Sequence, residues 1–120
     1  QQWYRGIMVT LLQNFQLFGK VKYKEWFATH QDLPLIQCLT VFIEEILFVQ
    51  FPTSQIYIFI DEIDSLLSLD FATDDFFVWI RSCYNQRSHD IRYQRLNIAL
   101  FGVTTPSDLI TNKQRTPFNI

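Results

Sequence analysis

The chain has 120 residues, of which 48% are hydrophobic, and its formal net charge is −2. This length suits one small domain with ample apolar material for a core, which excludes a disordered protein or a long repeat array. The slightly negative charge excludes a basic field that would draw the whole molecule to nucleic acid or to an anionic membrane.

The cysteines and the absence of targeting signals predict a cytoplasmic protein. Cys38 and Cys83 show neither metal-ligand spacing nor a Cys-x-x-Cys pair, so reduced thiols are expected. No signal peptide opens the chain, and no apolar stretch is long enough to span a bilayer. Because the chain starts at Gln1 without a methionine, we expect it to be an internal piece of a longer domain.

The first part of the chain predicts two amphipathic helices. Apolar residues recur at helical spacing over residues 3–15, which predicts a helix that ends near residues 17–19. Residues 21–32 show no clear period. Pro34 opens the second helix, where its fixed φ suits the first turn, and an apolar stripe follows over residues 35–47.

The most informative stretch is the apolar run at residues 56–60, which stops at Asp61 and Glu62. Its length and its β-branched residues favour a strand, and its unbroken apolar character predicts that both faces of that strand are covered. In parallel sheets of this kind, ligands collect beyond the carboxyl ends of the strands. Asp61 and Glu62 are therefore candidate functional residues.

Two carboxylates at such a strand end match the Walker B arrangement of P-loop nucleotide hydrolases. Asp61 would be the metal ligand that serves Mg²⁺, and Glu62 would be the catalytic carboxylate that orients the attacking water. The alternative is that a buried strand simply re-enters water at Asp61 and Glu62, and that Asp64 caps the turn that follows.

A third helix is predicted to begin at Thr73, which is a good N-cap, with two aspartates in its first turn that complement the helix dipole. Its predicted buried face consists of Phe76, Phe77, Ile80 and Tyr84. The polar, arginine-rich residues 86–94 are predicted to form the helix end and a surface loop.

A second strand is predicted at residues 97–103, followed by Thr104 and Thr105. Strands that alternate with helices predict an α/β fold in which two adjacent parallel strands are flanked by helices. The threonines would then face the same crevice as Asp61 and Glu62. We predict that Thr105 contacts the γ-phosphate or its attacking water, the role called sensor 1, with Thr104 as second choice. The alternative is that both threonines only start a turn.

Several stretches of the chain resemble the bacterial AAA-like ATPase domain family, which is related to the AAA+ and signal-transduction (STAND) ATPases. They are FIEEILF, IFIDEIDSLLSL, DDFFVWIRSCYNQR, LFGVTTPSDLI and RTPFNI. The resemblance implies a partial P-loop NTPase fold of the ASCE type, a three-layer sandwich that uses Mg²⁺ and ATP when complete. It places Asp61, Glu62 and Thr105 in the roles given above, with Thr104 and Arg115 as cofactor-binding residues. The alternative for Arg115 is a surface arginine.

The chain departs from that family in lacking a phosphate-binding loop. Such a loop reads Gly-x-x-x-x-Gly-Lys-Ser/Thr, and the single Gly-Lys pair here, at Gly19, has Asn14 and Val21 at the other key positions. We therefore expect residues 1–120 to be the central part of one AAA-like domain, and we expect this chain alone neither to bind ATP tightly nor to hydrolyse it. The missing half would leave an edge of the second strand exposed.

Three functions remain open at this point. The first is an ATPase core whose parent protein is a switch in signalling or assembly and acts on a protein partner or on the rest of its own domain. The second is a degenerate interaction module without hydrolysis. The third is a DEAD-type helicase piece in which Arg87, Arg92 and Arg95 touch nucleic acid, which the acidic balance of charge disfavours.

Overall fold

Helices make up the first half of the chain, and a parallel pair of strands and a long helix mark the second half. The structure is a computed structural model that describes residues 2–61 and 73–102. The chain divides into two units, Gln1–Pro52 and Thr53–Ile120. The predicted α/β class, with two adjacent parallel strands, is confirmed.

The described elements have the following bounds. The helices are α1 (Gln2–Asn14), α2 (Tyr23–Thr29), α3 (Leu35–Phe42), α4 (Phe48–Gln50) and α5 (Thr73–Asn85), and a π-helical segment (Ile43–Leu47) joins α3 to α4. Two 3₁₀ turns follow α5, at Gln86–Ser88 and Ile91–Arg95, and the strands are β1 (Ile56–Ile60) and β2 (Leu96–Leu100).

Helix α1 ends earlier than predicted because Gln16 adopts a left-handed backbone conformation, with φ of 57°. The Leu17 N–H donates to the Leu12 carbonyl at 2.8 Å, and the Gln16 N–H donates to the Gln13 carbonyl at 3.1 Å. These two bonds form a Schellman helix ending, in which an apolar residue beyond the turn packs against one in the last turn. Leu12 and Leu17, both fully buried, occupy those two positions.

Helix α2 lies in the segment that showed no clear period. Its Trp26 donates from Nε1 to Glu45 Oε1 at 3.1 Å, and the Trp26 ring stacks on His30 at 4.1 Å. His30 Nε2 lies 3.2 Å from the same Glu45 oxygen, and Phe27 is buried. The contacts of Trp26 and His30 with Glu45, rather than a sequence period, fix the position of α2.

The second predicted helix is continuous from Leu35 to Gln50 through the π-helical segment. Pro34 precedes it as the N-cap, with ψ of 145°, instead of lying in its first turn. The π-helical geometry appears where the Phe48 N–H donates to the Ile43 carbonyl, five residues back. The core of this unit is largely its apolar stripe: Leu39, Phe42, Ile43, Ile46, Leu47 and Phe48.

Strands β1 and β2 pair in parallel, and their register runs from Ile56 opposite Leu96 to Ile60 opposite Leu100. The predicted second strand was placed at residues 97–103, so the observed strand begins one residue earlier and ends at Leu100, with Val103 outside the described residues. The prediction of parallel neighbours is confirmed.

The expectation that both faces of β1 are covered is wrong for the described part of the chain. Ile56 is buried, but Tyr57 and Phe59, which point to the other face, are 58% and 65% exposed. The residues are apolar on both sides of β1, yet the aromatic side is largely exposed.

Helix α5 begins at Thr73, which is thus its first helical residue and not the N-cap that was predicted, and its buried face also differs from the predicted one. Phe76 and Phe77 are buried, whereas Tyr84 is 60% exposed, and Trp79 and Cys83 are buried in its place. The residues after α5 form two short 3₁₀ turns rather than an irregular loop.

The second 3₁₀ turn is fixed by an aspartate. Asp90 accepts the Arg92 backbone N–H at 3.0 Å, and its carboxylate pairs with the Arg92 guanidinium at 2.8 Å. The side-chain hydrogen bond from Arg92 is the main cause that lowers the pKa of Asp90 below its ordinary value.

Replacing Gln16→Gly should raise the free energy of unfolding by about 0.5–1 kcal/mol, because glycine adopts the left-handed conformation without a Cβ clash. Urea unfolding followed by circular dichroism measures the change. The control is Gln13→Gly, which removes the same side chain inside α1 and should instead cost about 1 kcal/mol. A loss of stability in Gln16→Gly would contradict the left-handed assignment.

Replacing Asp90→Asn should lower the free energy of unfolding by about 0.5 kcal/mol at neutral pH, since an exposed ion pair is lost. A carboxyl whose folded pKa is lowered contributes stability above its unfolded pKa of about 3.9, and this contribution disappears as the pH falls through the folded value. The difference between the two proteins should therefore shrink below about pH 4. Asp32→Asn is the control, and a pH-independent difference would contradict the ion pair.

Candidate functional site

The candidate site lies at the edge of the sheet where β1 and β2 both end. The Phe101 N–H donates to the Ile60 carbonyl at 2.8 Å, so the parallel pairing continues beyond Leu100. The chain therefore leaves both strands at the same edge, side by side. Residues that follow β1 and residues that follow β2 start from neighbouring points.

Asp61 is the first residue after β1, and its side chain is exposed. A carboxylate oxygen is the type of ligand that Mg²⁺ prefers, and proteins usually hold Mg²⁺ with one or two carboxylates while phosphate and water supply the other ligands. The donor type of Asp61 thus fits a magnesium ion that arrives with a phosphate. The residues described here contain no group of three or more His, Cys, Asp or Glu side chains of the kind that holds a metal alone.

The other predicted site residues lie outside the described residues. They are Glu62, Thr104, Thr105 and Arg115, together with the possible capping residue Asp64. The described chain leaves β1 at Asp61 and β2 at Phe101, at the same edge of the sheet. The roles of those four side chains stay predictions.

Sequence reasoning missed a row of exposed aromatic rings beside this edge. The rings of Tyr57 and Phe59 stack at 6.5 Å, and Phe101, 48% exposed, lies 5.9 Å from Phe59. The signal was present in the sequence, because aromatic residues at 57 and 59 alternate with isoleucines at 56, 58 and 60. We call Tyr57, Phe59 and Phe101 the aromatic row.

The remaining sequence predictions concern thiols and membranes. Both cysteines are buried thiols outside any disulfide, as predicted, and burial raises the pKa of Cys38 above its ordinary value. None of the helices in the described ranges is long and apolar enough to cross a membrane.

The whole chain is similar in sequence to a known protein family and to a cyanobacterial protein. The sequence profile described as "AAA-like domain" matches residues 1–120. The chain is 54% identical, over its full 120 residues, to an uncharacterized WD repeat-containing protein of Synechocystis sp., and it spans 10% of the length of that protein. No solved structure matches the chain significantly. With its whole length matched by that profile, the chain belongs to the AAA-like domain family.

Proposed function

We propose that this chain is the central part of an ATP-binding and ATP-hydrolysing AAA-like domain. The observation that carries the proposal is the parallel pairing of β1 with β2, which ends both strands at one edge, where Asp61 follows β1. A nucleotide hydrolase needs carboxylates and a hydroxyl around one phosphate, and we propose that Glu62, Thr104 and Thr105 meet Asp61 at this edge.

The residues would divide the chemistry as follows. Asp61 would hold the magnesium ion, which neutralises charge on the phosphates when it is bound. Glu62 would accept a hydrogen bond from the attacking water and so orient it. The hydroxyl of Thr105, or that of Thr104, would donate to a phosphate oxygen, and Arg115 would contribute a guanidinium to the same phosphates.

This chain lacks the Gly-x-x-x-x-Gly-Lys-Ser/Thr sequence that cradles phosphates with backbone N–H groups. We therefore propose that residues 1–120 act only together with a phosphate-binding half, and that Mg²⁺ and ATP bind to the complete domain. The aromatic row supports this, because an exposed apolar sheet face is usually covered by further structure.

The biological setting is also a proposal. The relative is named for WD repeats and is about ten times longer than this chain. We propose a STAND-like arrangement in which the AAA-like domain is a cytoplasmic, nucleotide-dependent switch for signalling or assembly, next to a repeat region in the same protein. The exposed aromatic row equally favours a second candidate, a degenerate module that binds a protein partner without hydrolysis.

In a protein that carries this domain together with a P-loop, Glu62→Gln should lower kcat by about 100-fold or more while leaving bound ATP in place, since the amide cannot act as a base. Steady-state hydrolysis and retention of labelled ATP measure the two effects. Glu25→Gln, an exposed glutamate on α2, is the control and should leave both unchanged. Unchanged turnover in Glu62→Gln would remove Glu62 from the mechanism, whereas absence of turnover in the unaltered protein would favour the degenerate module.

The 120-residue chain alone should show no saturable binding of Mg-ATP up to about 1 mM, because contacts worth less than about 4 kcal/mol remain without the phosphate cradle. Isothermal titration calorimetry measures this binding. The comparison is the same chain joined to the phosphate-binding half, which should bind. Micromolar binding by the chain alone would contradict the proposal that the nucleotide site is shared between this chain and a phosphate-binding half.

A further inference from the structure

A groove lies at the end of β2 opposite the candidate nucleotide site. It has a volume of about 350 Å³ between the second half of α5 and the first residues of β2. Its wall is apolar at Ile80, Leu96 and Ile98, and it is bordered by Arg81, Tyr84 and Arg87. Because the groove extends along β2 from Leu96 to Ile98 and the strand ends at Leu100, the groove lies about 7–13 Å from the nucleotide edge along the strand.

Two guanidinium groups are held over one exposed ring at this border. The Cζ atoms of Arg81 and Arg87 lie 5.3 Å and 5.5 Å from the centre of the Tyr84 ring. Cation–π contacts of this kind restrain two long, flexible side chains at the same place. Tyr84 is 60% exposed, so its role is to hold these two guanidinium groups and not to pack in the core.

These two arginines lack a negative partner in the described part of the chain. No carboxylate among residues 2–61 and 73–102 lies within ion-pair distance of Arg81 or Arg87, whereas Arg92 of the same unit is paired with Asp90 at 2.8 Å. Two like charges held near one another repel each other, and a pair of carboxylates would relieve that repulsion. A guanidinium also matches a carboxylate through two parallel hydrogen bonds.

We propose that this groove binds an acidic peptide segment of a partner protein in which carboxylates alternate with apolar side chains. Its carboxylates pair with Arg81 and Arg87, and its apolar side chains lie against Ile80, Leu96 and Ile98. A bare phosphate would leave this apolar wall without a partner. A nucleic acid would meet a molecule of net charge −2 and a Tyr84 ring that two guanidiniums already contact.

Fluorescence anisotropy with the 120-residue chain tests the proposal. The probe is a fluorescein-labelled octapeptide of alternating Leu and Glu, compared with octapeptides of alternating Ser and Glu and of alternating Leu and Lys. We expect the Leu-Glu peptide to bind best and the Leu-Lys peptide not to bind. Equal binding of the Ser-Glu peptide would remove the apolar wall from the site, and absence of Leu-Glu binding would overturn the proposal.

The double variant Arg81→Gln, Arg87→Gln should weaken binding of the Leu-Glu peptide by about tenfold, which corresponds to two exposed ion pairs. The matched control is Arg5→Gln, since the Arg5 guanidinium also lies over a ring, that of Phe27 at 4.8 Å, but in the first unit. An equal loss in the control would overturn the proposal.

A charge-conserving double variant and an oligonucleotide probe provide two further measurements. If the glutamine variant lost its circular dichroism spectrum, the charge-conserving pair Arg81→Lys, Arg87→Lys replaces it, and we expect a severalfold loss because lysine lacks the planar fork. A labelled oligonucleotide of eight thymidines should bind at least tenfold more weakly than the Leu-Glu peptide. Tighter binding of the oligonucleotide would overturn the acidic-peptide assignment. Because the nucleotide proposal uses none of the residues that line the groove, failure here leaves that proposal intact.

Discussion

The parallel hydrogen-bonded ladder between β1 and β2 is the constraint on which the candidate site depends. Five residue pairs, from Ile56–Leu96 to Ile60–Leu100, fix both the direction and the register of the strands. An antiparallel pairing would send Asp61 and the segment after Phe101 to opposite edges of the sheet. A slip of one residue would instead exchange the buried Ile56 face for the exposed Tyr57 face.

The two ends of this short ladder differ in charge. The carboxyl end leads into Asp61, while the amino end of β2 lies beside Arg81 and Arg87. A two-stranded unit can therefore offer an oxygen ligand for a cation at one end and guanidiniums for an anion at the other. The proposed nucleotide site concerns the acidic end only. The cationic end follows from the geometry of α5 around Tyr84.

Local patterns predicted most of the fold, and long-range packing accounts for what they missed. The run at residues 56–60 is apolar and β-branched, so its strand could be predicted, but apolarity alone does not say whether this chain covers Tyr57 and Phe59. Tyr84 lies at helical spacing from Ile80, yet tertiary packing buries Cys83 instead. Nothing in the sequence marked Gln16 as left-handed, since glycine usually takes that position. At the candidate site, the structure describes Asp61 and the edge where both strands end. The roles of Glu62, Thr104, Thr105 and Arg115 stay predictions, because these residues lie outside the described ranges.

The pairing of β1 with β2 also has a consequence for biosynthesis. Ile56 and its partner Leu96 are forty residues apart in the chain, so β1 leaves the ribosome well before its neighbour exists. At about 5–20 residues per second, the aromatic strand waits unpaired for roughly 2–8 s. During that interval it is a target for hydrophobic-binding chaperones, and translation speed across residues 61–95 becomes a factor in the yield of folded protein.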